Sequence, residues 1–248
     1  MKRQIILFVA LMTALSLLLA ACGGGSDKIQ VATDATWPPF EMLDESTKEI
    51  VGFDIDLMNA IAEKAGLDIE FVNVSWDPLL SGMATCQYDA AISAMTITEE
   101  RKQEFAFSDP YFAAGQVVTV RIDNTDITGS ESLPGRKVGA QLGTTGDIVS
   151  KEMGADMKSY DDIGLAFQDL MNGQIDAVVA DNPLALGYVA KNADKLKTVG
   201  AVFTDEYYGI AVCKDKTELV EQLNKGLKAV QEEGLVEQLV DKWLKSNQ

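Results

Sequence analysis

"DIDLMNAIAEKAGLDIEFVNV", Asp54 to Val74, is the stretch whose reading decides the fold. Its first half puts Leu57, Ile61 and Ala65 on one helical face with Met58 and Ala62 beside them, and Gly66 stands where a C-terminal cap belongs. The second half changes period. Leu67, Ile69 and Phe71 alternate with polar residues, as one face of a strand does. Upstream, "IQVAT" at Ile29 to Thr33 reads as another strand, so the segment is a strand–helix–strand unit. Parallel strands need a crossover of this kind, and a helix usually supplies it, which points to an α/β architecture with mostly parallel sheet.

The alternation continues to about Val212. "WDPLLSGMATCQ" opens a helix, with Asp77 as N-cap and Pro78 in the first turn. "YDAAISAM" is a short strand, apolar enough to be buried on both faces. "QVVTVRI" is a further strand, and "RKVGAQLGTTGDIVSKEM" reads as strand, glycine turn and helix. "FQDLMNGQIDAVVAD" closes a helix and starts a strand much as "GMATCQYDAAISA" does earlier, so that Tyr88 to Ile92 overlays Ile175 to Val179. This internal echo suggests two lobes of similar build. Two amphipathic helices, Thr217 to Glu233 and Leu235 to Lys245, finish the chain, with Leu219, Leu223, Leu227 and Val230 on one seam.

Composition excludes several functions. The 248 residues carry 38 acidic and 21 basic side chains, a net charge of −17. Such a surface repels phosphate backbones, so nucleic acid is not an expected partner. Solubility is the plain reading of the charge, and a field that draws in cations is the sharper one. There is no histidine, so a serine or cysteine nucleophile has no imidazole base and zinc loses its commonest ligand. No metal or cofactor is expected. Cys86 and Cys213 stand in no C-x-x-C spacing, and nothing in the sequence brings their side chains together. Two small buried residues is the simpler reading, with pairing left open for an exported protein.

Export itself is written at the start of the chain. Lys2 and Arg3 precede an apolar run from Ile5 to Leu19, then Ala20 and Ala21 ahead of Cys22, which makes residues 1–21 a signal peptide. The alternative is a membrane-spanning helix, for which Ile5 to Ala21 sits at the lower length limit. "LAAC" at Leu19 to Cys22 resembles the bacterial lipobox. That resemblance implies cleavage before Cys22, lipidation of Cys22, stable attachment through more than one acyl chain, and a flexible tether over residues 22–26.

Taken together, "IQVATDATWPPFEM", "GFDIDLMNAIAEKAG", "DAAISAMTITEERKQEFAFSDPYF", "VGAQLGTTGD", "IDAVVADNP", "YYGIAV" and "DKWL" resemble the extracellular solute-binding proteins, family 3, of bacterial ABC transporters, the polar amino acid group that includes glutamine-, arginine- and histidine-binding proteins. "TITEERKQEFAFSDPY", Thr96 to Tyr111, is the most specific block. The resemblance implies a two-lobed fold of the type II periplasmic-binding-protein kind with the ligand in the cleft between lobes. Lobe 1 would be 27–110 and 209–248, lobe 2 would be 116–204, and crossover strands would lie at 111–115 and 205–208. It further implies a monomer in the cell envelope that takes up a free amino acid and passes it to permease subunits.

The residues supply matching chemistry. Arg101 follows Thr98, which can cap the helix there, so its side chain can fold back toward the strand end. A guanidinium makes two parallel charge-assisted bonds to a carboxylate, which lysine cannot match. Resemblance assigns the ligand carboxylate to Arg101, with Thr96 and Ala94 helping and Thr144 and Thr145 of the "GTTG" turn meeting it from lobe 2. It assigns the α-ammonium to Asp181 and Ser93, although Asp181 also stands where it can cap the following helix. Asp34 would face the ligand side chain between Trp37 and Trp76, with Gln141 standing where some relatives carry a charged residue. A slot of indoles ending in a carboxylate suits a lysine, arginine or histidine side chain, and glutamine as the alternative. The bland reading makes both tryptophans core residues. A dehydratase acting on prephenate- or arogenate-like acids is the competing class, since Asp34 and Asp181 can serve as acid or base.

Overall fold

The computed structural model describes residues 28–245. The expected signal peptide, lipidated Cys22 and tether lie outside the described residues. Among those described, no helix is long and apolar enough to cross a membrane.

Strand β1 (Ile29–Thr33) pairs in parallel with β5 (Ile69–Asn73) on one side and β6 (Ala90–Ala91) on the other. Helix α1 (Phe53–Ala65) links β1 to β5 and buries Leu57, Met58, Ile61 and Ala62. It ends on Gly66 in the left-handed region, φ 67°, a conformation glycine adopts at no steric cost. At the other end Gly52 has φ 144°, and a Cβ there would lie 2.0 Å from the Phe40 carbonyl oxygen. Only glycine lets the helix start so close to the preceding chain. That chain folds as a small antiparallel sheet of β2 (Thr36–Trp37), β3 (Glu41–Leu43) and β4 (Ile50–Val51).

Helix α2 (Trp76–Ala84) corrects one expectation. Its N-cap position is Ser75, not Asp77, and Asp77 falls in the first turn, where a negative charge still favours the helix dipole. "YDAAISAM" is also less regular than expected, since only Ala90 and Ala91 ladder as strand. After α3 (Glu99–Glu104), β7 (Phe105–Phe107) completes the sheet in the order β5-β1-β6-β15-β7, where β15 (Ala211–Cys213) runs antiparallel to both its neighbours.

The second sheet repeats this plan. β10 (Lys137–Gln141) is flanked in parallel by β11 (Asp156–Tyr160) and β12 (Ala177–Asp181), and β9 (Gln116–Arg121) runs antiparallel between β12 and β13 (Leu196–Val199). Its order, β11-β10-β12-β9-β13, matches the first sheet strand for strand. The echo between Tyr88–Ile92 and Ile175–Val179 is therefore a real correspondence, because β6 and β12 occupy the same place in their sheets. The reversed strand of each sheet enters directly from a crossover. β8 (Phe112–Ala114) leads into β9, and β14 (Glu206–Tyr208) leads into β15, and β8 and β14 pair antiparallel.

Core packing follows the pattern. Helix α7 (Thr217–Glu232) lays Leu219, Leu223, Leu227 and Val230 against α1, and Gly226 of α7 comes within van der Waals reach of Ile61. Cys86 and Cys213 form a disulfide with Cα atoms 5.1 Å apart, which corrects the reading of two unpaired small residues. Cys213 is buried but Cys86 is exposed, and the turn after α2 carries it to the end of β15.

Candidate functional site

In each lobe the ends of the parallel strands point toward the other lobe, and the predicted residues sit on those ends. Asp34 follows β1, Ser93, Ala94 and Thr96 follow β6, Gln141 ends β10, Thr144 and Thr145 begin α4 (Thr145–Glu152), and Asp181 ends β12. Carboxyl edges of parallel strands are where open α/β sheets place ligands. All eleven predicted residues, with Trp37, Trp76 and Arg101 among them, line one narrow cavity between the lobes, with only about 20 Å³ of room left between the side chains. Glu41 joins them and was not anticipated. A larger groove of about 460 Å³ runs past Pro38, Pro39, Met42, Phe112 and Leu186, but it lacks the convergence of charged groups seen in the cleft.

Arg101 is anchored as its position after Thr98 suggests. The Thr98 hydroxyl accepts from the Arg101 main-chain N–H at 3.2 Å. The guanidinium turns back, donating through Nη1 to the Thr96 carbonyl at 2.8 Å and through Nη2 to the Gly143 carbonyl of lobe 2 at 3.2 Å. It also lies 5.1 Å from the Trp76 ring centre, a cation–π distance. One face of Trp76 is thus already covered by Arg101. Burial lowers the Arg101 pKa to about 10, with Asp181 and Glu206 opposing the shift.

Asp181 is buried and its carboxylate does not cap the helix α6 (Asn182–Lys191) that it precedes. Instead Oδ1 accepts from Gln116 Nε2 at 2.6 Å and Oδ2 from the Tyr208 hydroxyl. Burial, then the neighbouring Glu206, pushes its pKa up to about 6. Such a carboxylate is stabilised in its charged form by any cation that enters beside it.

Asp34 is held from both lobes. Oδ1 accepts from the Thr36 hydroxyl at 2.9 Å and Oδ2 from Gln141 Nε2 at 3.0 Å. Its main-chain N–H donates to Ser93 Oγ at 3.0 Å, and Ser93 donates to Glu41 Oε1 at 2.9 Å. Burial raises the Asp34 pKa. Glu41 is fully buried, and its Oε2 has no partner among the described residues. Burial together with Asp54 holds the Glu41 pKa well above the usual carboxylate range. Asp54, also fully buried, accepts from Ala94 N–H and the Tyr111 hydroxyl, each at 2.7 Å, and burial raises its pKa to about 6.

The two tryptophans are both wall and core. Trp37 packs with Phe40 and Phe53, and Trp76 packs with Leu79 and Met83, while both indoles border the cavity. Neither indole N–H has a partner among the described residues. The three threonine hydroxyls are committed to protein acceptors: Thr144 to the Gln141 carbonyl at 2.7 Å, and Thr96 and Thr145 to Glu206. Lobe 2 still offers the main-chain N–H groups of Thr145 and Gly146 at the start of α4, while that of Asp147 is taken by the Thr144 hydroxyl at 3.3 Å.

A two-lobed α/β chain with one half-buried arginine and several buried carboxylates facing an interlobe cavity is the architecture of an extracytoplasmic binding protein. The chain belongs to the bacterial extracellular solute-binding proteins, family 3, whose profile matches residues 29–246. A probable histidine-binding protein of Neisseria gonorrhoeae is 37% identical over 92% of this chain and 91% of its own. An ancestral arginine-binding protein, solved with arginine and with glutamine, is 44% identical with a TM-score of 0.82, covering 87% of this chain and 97% of that one. The arginine-, lysine-, histidine-binding protein ArtJ from Geobacillus stearothermophilus is 38% identical with a TM-score of 0.83, covering 88% and 95%.

Proposed function

We propose that this protein is the lipid-anchored receptor of an ABC importer, capturing a free polar L-amino acid with a basic side chain and delivering it to the permease. The observation that carries the reading is the convergence of one guanidinium, Arg101, with buried carboxylates Asp181, Asp34 and Glu41 around a single interlobe cavity. Arg101 would hold the ligand carboxylate together with the first-turn N–H groups of α4, and Asp181 would hold the ammonium. Asp34 and Glu41 would then meet the far end of the side chain.

A basic side chain is preferred because the far end carries two carboxylates and no lysine or arginine. Gln141 occupies one oxygen of Asp34 with an amide N–H, so a glutamine side chain is the second reading. It is also what one related protein is solved with. The Cys22 anchor follows from "LAAC" and the signal peptide. Binding without chemistry is part of the reading, since Asp34 and Asp181 are both engaged in hydrogen bonds that suit fixed acceptors. Incubating the purified protein with prephenate and arogenate tests that point. No aromatic product is expected, and turnover would sink the binding-only assignment.

A further inference from the structure

Glu206 lies on the second crossover strand, β14, and is buried. Its carboxylate gathers three threonine hydroxyls from three parts of the molecule. Thr96 of lobe 1 donates to Oε2 at 2.7 Å, Thr145 of lobe 2 donates to Oε2 at 2.8 Å, and Thr204, just ahead of the crossover, donates to Oε1 at 2.7 Å. Two of these directions are enforced from behind. Gln116 Nε2 donates to Thr145 Oγ1 at 3.0 Å, and the Gln116 main-chain N–H donates to Thr204 Oγ1 at 2.7 Å. A hydroxyl has one proton, and a carboxylate only accepts, so Glu206 takes all three protons.

Thr96 and Thr145 border the cleft cavity, whereas Glu206 stands behind them. Their oxygens therefore face the cavity with lone pairs and no proton to give, which suits an ammonium and not the ligand carboxylate that the resemblance assigned to both threonines. Asp181 is tied to the same corner, since Gln116 Nε2 serves both Thr145 and Asp181.

We propose that Glu206 is a positioning residue that turns Thr96 and Thr145 into acceptors, so that this corner of the cleft selects ligands carrying an α-ammonium over otherwise identical ligands without one. The inference rests on the amino-acid-receptor reading above and adds the device that makes the ammonium obligatory. An ammonium has three protons to give and meets acceptors only. A ligand with hydrogen in place of the ammonium leaves the remaining lone pairs of Asp181, Thr96 and Thr145 unmet, which is how a polar site rejects an analogue that lacks the group. Because the three hydroxyls come from both lobes and Glu206 from the crossover, the corner is complete only with the lobes this close. An amide at position 206 presents N–H to one hydroxyl and frees that hydroxyl's proton to point into the cavity.

The test is a comparison of ligand pairs. The protein, unfolded and refolded to strip carried-over ligand, is titrated calorimetrically with L-arginine against 5-guanidinopentanoate and with L-glutamine against glutaramate. Glu206→Gln is expected to lower the preference for the amino acid within its pair by about tenfold or more, with the amine-free partner little changed. Equal weakening of both members, or an unchanged preference, overturns the proposal. Should Glu206→Gln fail to fold, Thr96→Val removes one of the oriented hydroxyls while keeping the shape, and carries the same expectation and the same overturning result. If the wild-type protein binds neither amino acid nor any other of the twenty, the receptor reading itself falls. If it binds and the variant keeps its preference, the Glu206 role alone falls.

Discussion

Gln141 of lobe 2 donates its side-chain amide to Asp34 Oδ2 of lobe 1 at 3.0 Å, and the same nitrogen donates to the Asp161 carbonyl at 3.0 Å. One hydrogen bond thus spans the cleft at the carboxylate that faces the ligand side chain in the proposed function. A cationic side chain entering here has Asp34 to pair with. Asp34→Ala is expected to weaken L-arginine or L-lysine by about tenfold to a hundredfold, and to change L-alanine little, because only the charged side chain loses a partner. Calorimetry with the two ligand types checks this. Equal losses for arginine and alanine contradict the side-chain role.

Affinity should depend on pH through Asp181. Its pKa is raised to about 6 by burial and by Glu206, and an arriving ammonium favours the ionised form. Binding therefore releases a proton wherever the free protein holds one on Asp181. Affinity is expected to be flat above about pH 7 and to fall as pH drops through 6, with Asp34, raised in the same direction, adding to the fall. Calorimetric enthalpies measured at pH 6 in buffers of different ionisation heat should differ, and at pH 8 should agree.

Stability carries the opposite slope. Glu41 and Asp54 have folded-state pKa values above their ordinary ones, Asp54 at about 6, so the folded protein binds more protons than the unfolded chain between about pH 4 and 6. Ligand-free stability contributed by this pair should fall as pH rises through that window. Glu41→Gln removes the need to hold a proton and the repulsion with Asp54. It is expected to raise Tm at pH 8, to leave it nearly unchanged at pH 4, and to flatten the slope between. A lowered Tm at pH 8 contradicts the account.

The Cys86–Cys213 disulfide closes a loop across 127 positions of sequence. Loop-closure entropy for so long a span is worth about 3–5 kcal/mol. Replacing both cysteines by serine, or reducing the bond, should lower the denaturant midpoint accordingly. Neither cysteine lines the cleft cavity, so ligand affinity at low denaturant should stay the same.

Much of this was legible in the residues. The period change from Asp54 to Val74 set the α/β class, and the echo between "YDAAI" and "IDAVV" foreshadowed two sheets of one topology. The cavity walls were legible chiefly through the resemblance, which singled out Asp34, Trp37, Trp76 and Arg101, while Asp181 after "AVVA" was also marked locally as a strand end. Glu41 was not. In "PPFEM" it has the look of a surface charge, and only the folding of β2, β3 and β4 over the cleft turns it inward, which no local pattern records. Glu206 was hidden for a similar reason, since its three partners lie at positions 96, 145 and 204. The disulfide and the N-cap of α2 show the same limit from two sides. Pairing over a long span leaves no mark in spacing, and Ser75 and Asp77 are both good caps that sequence alone does not rank.

The most direct test of the central claim is calorimetric titration of the refolded, ligand-free protein with each of the twenty amino acids, run in parallel on Arg101→Ala. One ligand per chain is expected, with a polar, basic amino acid binding tightest at submicromolar affinity, about −8 to −10 kcal/mol for a ligand of this size. Arg101→Ala is expected to lose every amino acid, because each presents the same carboxylate to the guanidinium. Absence of binding by the wild-type protein, or retention of affinity without Arg101, would contradict the account.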